Sequence, residues 1–426
     1  MQSIVLPNGL RILYYPAPGS QSVNIGLYVK VGSRYETEHD NGITHMLEHL
    51  HFRQLGEMSQ ADLYYAMECM GGTLRASTAK EVLRFRMKVR PKYLKKSIRL
   101  VEKVLTTNKW TEEQFEAEKK VVLCEIYEKG QECNLDYASA ALTWKEHSLA
   151  MPVLGTEESV KKLCLQEVQA HKERFFSTPN TALVITGAFS EVDALYVNKV
   201  FENVSLSNSQ PDFQMSDAAK SQFSRKPDVT FVDCSWDPID VRIVFDVDTK
   251  LVGGQELVFL NSIIGGGDGS VLPGKVREEL GLVYEIYSDP EIYEDSAVLS
   301  ITFSIARKEF YQALEQIMKL LRGLKADISQ REIESNKVFF TENLWFWLED
   351  TDTLNFQLGL NMLGNKRPAS IETMIKRNKK ITRERLVELT NIIFKAENAS
   401  IAVVGATGRL TKKMTRWIIA DNLADE

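Results

Sequence analysis

Asn180-Thr181-Ala182-Leu183-Val184-Ile185-Thr186-Gly187 reads as a short apolar strand closed by glycine, and Asn398-Ala399-Ser400-Ile401-Ala402-Val403-Val404-Gly405 repeats it at a shift of 218 in numbering. The shift holds without a gap through the preceding stretch: Leu163 pairs with Ile381, Val168 with Leu386 and Phe176 with Phe394. In each copy a helical pattern, ending Arg174-Phe175-Phe176 or Asn391-Ile392-Ile393-Phe394, leads through a turn into the strand. At 426 residues the chain is also too long for one ordinary core. The expected fold is therefore α+β, with two homologous domains, each a mostly antiparallel sheet covered by helices, related by an internal repeat of about 218 residues. Between Ser205 and Asp228 periodicity gives way to Ser, Gln, Asp and Lys, which marks a linker. The division expected is 1–205, a linker at 206–228, and 229–426.

Composition narrows the function. The chain is 44% hydrophobic and 26% charged, the range of ordinary globular proteins. Its net charge is −6, and it has no basic block or glycine-rich phosphate loop, which argues against nucleic-acid and nucleotide enzymes. No run approaches the ~18 apolar residues of a membrane span. The start, Ser3-Ile4-Val5-Leu6-Pro7-Asn8-Gly9-Leu10-Arg11-Ile12-Leu13, reads as two short strands around an Asn-Gly turn, leaving little room for a presequence. A cytoplasmic protein is expected. The five cysteines, Cys69, Cys124, Cys133, Cys164 and Cys234, form no C-x-x-C pair and read as reduced, mostly buried thiols.

Four of the six histidines, His39, His45, His49 and His51, lie within thirteen residues. In His45-Met46-Leu47-Glu48-His49 the two histidines are four apart, so on a helix both rings can face one cation. Glu48 lies beside the same position, close enough to take a proton from water there. Two histidines at helical spacing are commonly just surface or core residues. The intervening glutamate changes that, because H-x-x-E-H is the signature of inverted zincins. A catalytic zinc takes three protein ligands and keeps one position open. The helical run from Thr111 to Gly130 offers the third: Glu112, Glu113, Glu116 and Glu118, then apolar Val121, Val122 and Leu123, then Glu125. Glu118 and Glu125 are two turns apart on one face, and composition does not choose between them.

With these residues the chain resembles the pitrilysin and insulysin family of inverted zinc peptidases, in the shorter branch that includes the mitochondrial processing peptidase. The likeness runs through Leu6-Pro7-Asn8-Gly9-Leu10, Val31-Gly32-Ser33-Arg34, Gly42-Ile43-Thr44, Gly71-Gly72-Thr73-Leu74, His147 with Gly155-Thr156-Glu157, Gly265-Gly266-Gly267, and Arg277-Glu278-Glu279-Leu280-Gly281-Leu282-Val283-Tyr284. The resemblance implies that Glu125, at the family's spacing from His49, is the third zinc ligand and that Glu118 supports the site. It implies that Arg277 binds a substrate carbonyl and Tyr284 steadies the oxyanion, both from the second domain. It also implies that substrate adds as a strand along Leu74, Arg75 and Ala76, although Arg75 stands where the family often has Asn. His51 is expected beside the metal ligands or at the surface. The repeat shift takes His45 and His49 to Ile263 and Gly267, so the second copy has no ligands.

The function expected is a Zn2+-dependent endopeptidase that hydrolyses extended peptides or processes a precursor inside a clamshell chamber. The alternative is a non-catalytic peptide-binding subunit of a processing peptidase. The partners implied are a peptide or unfolded precursor and a second family subunit, either a copy of itself or a related inactive chain. A bacterial maturation peptidase, such as one for a subtilosin-type bacteriocin, fits that pattern.

Overall fold

Asn8-Gly9 turns the chain back on itself as the sequence indicates: β1 (Gln2–Val5) pairs antiparallel with β2 (Arg11–Pro16), and Gly9 sits at φ +91°, a conformation glycine adopts without strain. The computed structural model describes residues 1–130, 133–213, 227–364 and 369–424. Residues 214–226 of the expected linker lie outside the described residues. Two compact units emerge, each assembled from separated stretches of chain. One takes Met1–Glu128, Met151–Ala218 and Leu344–Ser370, and the other Lys129–Ala150, Ala219–Asn343 and Ile371–Glu426.

In the first unit, β3 (Val23–Val29) is followed by helix α1 (Ile43–Arg53), a small hairpin of β4 (Gln54–Leu55) and β5 (Met58–Ser59), and α2 (Gln60–Glu68). Next come β6 (Thr73–Thr78), β7 (Leu83–Val89), α3 (Leu94–Thr106) and α4 (Glu112–Lys129). The segment 133–150, with α5 (Leu135–Trp144), goes to the second unit. The first unit resumes with α6 (Glu157–Lys162), α7 (Leu165–Phe175), β8 (Thr181–Gly187) and α8 (Glu191–Glu202). Its six-stranded sheet runs β1-β2-β8-β3-β7-β6, so β6 is an edge strand with β7 as its single partner among the described residues. α3 forms because Leu94, Ile98, Val101 and Val104 recur at helical spacing, and all four are buried in the core on one face of this sheet. The other face is covered by helix Thr351–Leu363, whose Leu354, Leu358 and Met362 pack on Leu13, Tyr28, Ala182 and Val184.

The second unit has five strands, β9 (Val229–Asp233), β10 (Ile239–Val247), β11 (Ile286–Ile292), β12 (Ala297–Ile305) and β13 (Ala399–Gly405), in the order β11-β12-β10-β13-β9. This is the arrangement β6-β7-β3-β8-β2 repeated, down to the one parallel pair, β2 with β8 and β9 with β13. The repeat is visible in detail. α7 and β8 match helix Arg383–Ile393 and β13 residue for residue, and Asn180 and Asn398 each donate to the carbonyl of the equivalent residue, Phe175 or Ile393. The shift is not constant throughout, however. α1 begins at Ile43 and its counterpart, helix Gly254–Ile264, begins at Gly254, earlier than the shift between the strands would put it. The cause is the connection after β10, which is seven residues shorter than that after β3. The counterparts of His45 and His49 on that helix are therefore Glu256 and Leu260 rather than Ile263 and Gly267.

The cysteines correct a second expectation. Cys133 and Cys234 form a disulfide within the second unit, and Cys69, Cys124 and Cys164 are free and exposed rather than buried. The bridge joins the approach to α5 with the end of β9, 101 residues apart in sequence. Only the packing of α5 against that sheet makes the two neighbours, so spacing gave no sign of it.

Candidate metal centre

α1 starts at Gly42, which adopts φ +95°, and a Cβ there would stand 2.7 Å from the Leu154 carbonyl and 2.9 Å from Gly155 Cα. Only glycine fits. The buried carboxylate of Glu36 completes the start of the helix, accepting from the backbone N–H of Gly42 at 2.8 Å and of Thr44 at 3.0 Å, and from Asn41 Nδ2 at 2.9 Å. Burial raises its pKa above the usual carboxylate range, although these hydrogen bonds oppose the shift. Met46, Leu47 and Leu50 anchor the opposite side of α1 in the core. The helix therefore has little freedom to rotate.

His45 and His49 lie side by side, their ring centroids 4.6 Å apart. Glu125 of α4 faces both: its Oε2 is 3.6 Å from His45 Nε2 and 3.6 Å from His49 Nε2. The three residues offer donor atoms that all lie within 4.8 Å of one another. Zinc bound tetrahedrally at about 2.0–2.1 Å needs donors roughly 3.3–3.5 Å apart. The set fits zinc, and two imidazoles with one carboxylate leave a coordination position for substrate or water.

Glu118, two turns earlier on α4, is more deeply buried than Glu125 and does a different job. Its Oε2 lies 3.1 Å from His49 Nδ1, and its Oε1 pairs with Arg53 Nε at 2.8 Å. A carboxylate only accepts, so Nδ1 carries the proton and Nε2 presents its lone pair toward Glu125. Burial by itself would push the His49 pKa down, but the hydrogen bond and charge of Glu118, with Glu48 and Glu125, bring it above its ordinary value. Glu48 accepts from Thr78 Oγ1 at 2.5 Å. Burial raises its carboxyl pKa, against the opposing pull of the Thr78 hydrogen bond and the His49 charge. Thr78 ends β6, and earlier on the same strand Leu74 is buried, Arg75 exposed and Ala76 half-buried.

Arg277 and Tyr284 belong to the second unit, so they share no compact unit with the histidines. Arg277 lies in a π-helical turn, Pro273–Glu279, near Asp268 at 3.5 Å and Glu278 at 3.2 Å. Tyr284 is 89% exposed, which excludes a core role. His51 lies neither beside the candidate metal donors nor at the surface. Two positions beyond His49, it turns into the core, where its ring nitrogens meet the carbonyls of Leu47 at 2.7 Å and Val104 at 3.1 Å. The sequence reading missed Glu36, Arg53 and Thr78. Arg53 had a signal, standing four residues after His49 on the same face, whereas Glu36 and Thr78 reach the site only through the tertiary fold.

The model of the insulinase family (peptidase family M16) matches residues 11–157, and that of the M16 inactive domain matches residues 162–337. The chain is 26% identical over 409 residues to a Bacillus subtilis protein named uncharacterized zinc protease YmxG, covering 95% of this chain and 98% of that protein. It is 24% identical over 426 residues to the mitochondrial-processing peptidase subunit beta of Rattus norvegicus, covering 96% and 85%. The crystal structure of a protease from Helicobacter pylori shares the fold, with a TM-score of 0.87 at 20% identity over 95% of this chain and 99% of that one. The two family models together take in most of the sequence, and the chain belongs to peptidase family M16, the insulinase and pitrilysin family of zinc-dependent peptidases.

Proposed function

We propose that the chain is a zinc endopeptidase acting on extended peptides, with His45, His49 and Glu125 as the metal ligands and Glu48 as general base. The observation that carries this reading is the convergence of those three donors within 4.8 Å, with the Glu48 carboxylate on the same helix and bonded to the edge strand. Zinc held there supplies a Lewis acid that polarises a peptide carbonyl and acidifies water. Glu48 takes the proton of the attacking water and returns it to the leaving amine, while Thr78 holds the carboxylate in place. Glu118 and Arg53 fix the ring of His49. Substrate adds as a strand along Leu74, Arg75 and Ala76, since β6 has an unpaired edge among the described residues. For Arg277 on the substrate carbonyl and Tyr284 on the oxyanion, the support is the family resemblance.

Glu48→Gln tests the core of the proposal. It should keep about one zinc per chain and lose roughly 10²–10⁴ in kcat on a peptide substrate; activity within a few-fold of wild type removes Glu48 as the base. A peptide-binding subunit without catalysis would have no use for a base beside three metal donors.

The finer readings extend the same proposal. A relative is a subunit by name, which supports a second family chain as partner, and processing of a precursor such as a bacteriocin fits a peptidase of this size. The proposed boundaries are 1–205 and 229–426 for the two copies of the repeat, with 206–228 as the linker. No helix among the described residues is long and apolar enough to cross a membrane. The cytoplasm is the proposed location, and the Cys133–Cys234 disulfide is the observation against it, since such bonds persist where thiols are not kept reduced. Thiol labelling of protein taken from intact cells separates the two.

A further inference from the structure

The edge hairpin has two chemically different faces. β6 pairs with β7 so that Leu74 lies opposite Met87 and Ala76 opposite Phe85, while Thr73 faces Lys88, Arg75 faces Arg86 and Ser77 faces Arg84. Leu74, Phe85 and Met87 are buried in the core that includes α1, and Thr78 meets Glu48 on that side. Because side chains alternate along a strand, Arg75, Arg84, Arg86 and Lys88 share the other face. One carboxylate, Asp352 of helix Thr351–Leu363, bonds both Arg84, at 2.7 Å, and Arg86. The charge of Lys88 is felt by Asp350. Arg75 is exposed, and among the described residues no carboxylate pairs with it. Like charges directly opposite each other weaken a ladder, so the Arg75–Arg86 pair does nothing for the hairpin itself.

We propose that these charges select substrate: the chain prefers extended peptides with an acidic side chain opposite Arg75, on the strand face away from the metal donors. This rests on the reading of β6 as the substrate-receiving strand. A strand added to β6 alternates in step with it, so the residue paired with Arg75 points to the cationic side and enters the field of Arg86 and Lys88. Its neighbours point toward Leu74 and Ala76 and meet an apolar surface. Thr78, which holds Glu48, lies three residues along β6, about 10 Å at ~3.3 Å per residue. The acidic residue therefore belongs roughly two to four residues from the cleaved bond.

The test uses full-length, zinc-loaded protein carrying Glu48→Gln, and measures binding of fluorescent nonapeptides that differ at one position in bearing Asp, Asn or Lys. The position is scanned along the peptide. At one position Asp should bind about two- to tenfold more tightly than Lys, with the ratio shrinking at high salt. Adding Arg75→Gln should shrink the ratio and Arg75→Glu should cancel or invert it. Arg75-dependent preference in a protein whose wild-type form cleaves nothing upholds this inference and removes the peptidase reading. Cleavage by wild type with no charge preference, or a preference that Arg75→Glu leaves unchanged, overturns the inference and leaves the peptidase reading standing. Absence of peptide binding overturns the inference as well.

Discussion

The two copies of the repeat share a frame and differ at the four positions proposed to hold or support the metal. α1 carries His45 and His49; helix Gly254–Ile264 has Glu256 and Leu260 in their places. Glu256 is occupied locally, accepting from the N–H of Gly253 at 3.0 Å and pairing with Arg385 at 2.8 Å, and Leu260 is core. α4 carries Glu118 and Glu125, and helix Gln330–Phe346, which starts at the same shift as the strands, has Asn336 and Asn343 there. Both asparagines donate back to their own helix, to the carbonyls of Glu332 and Phe339 at 2.9 Å. One sheet-and-helix frame thus stands with and without the proposed metal-binding set. The frame is a matter of apolar periodicity and strand order, whereas the chemistry is a handful of polar residues placed on it.

The largest effects should fall where the copies differ most. His45→Ala or His49→Ala should reduce zinc from about one per chain to none, with loss of activity, as read by elemental analysis and a peptide assay; zinc retained by both variants erases the distinction drawn above. Next is Tyr284→Phe in the copy without ligands. If that copy serves the reaction, kcat falls roughly ten- to a thousandfold while zinc content and thermal stability hold, since the ring is exposed. An unchanged kcat leaves the second copy with architecture alone. Glu118→Gln should weaken zinc affinity roughly ten- to a hundredfold without displacing a ligand, measured by competition with a chelator. Equal affinity in wild type and variant would mean that the ring of His49 needs no support.

The smallest effect compares two helix starts. Gly42→Ala forces a Cβ against backbone at φ +95° and should destabilise by more than about 2 kcal/mol in thermal unfolding. Gly253 has φ −74° and only side-chain atoms of Glu256 nearby, at 3.2 Å or more, so Gly253→Ala should change stability by less than about 1 kcal/mol. Similar losses at both would mean that the tight approach of Gly42 to Gly155 is not what fixes α1.

What was legible in the sequence follows the range of the physics. H-x-x-E-H could be read because four residues on a helix define a face locally. The repeat could be read because α7 and β8 recur without a gap, yet the same shift misplaced the counterparts of His45 and His49, since a shortened connection leaves no mark in strand or helix periodicity. The choice between Glu118 and Glu125 came from resemblance. Periodicity put both on one face and went no further. Glu36, Thr78 and the Cys133–Cys234 bridge depend on contacts across the fold, where sequence spacing carries no information.

Helix Thr351–Leu363 has a consequence for how the molecule is made. It covers one face of a sheet whose own strands are complete by Gly187, and it packs closely enough that Gly359 lies against the ring of Tyr28. During synthesis at about 5–20 residues per second, that face waits roughly ten to thirty seconds for its cover. Until then Leu13, Tyr28, Ala182 and Val184 are an open apolar surface on a nascent chain. A version cut at residue 205 would keep that surface for good, which makes the segment with the candidate metal site a poor candidate for expression by itself and a natural client for a chaperone.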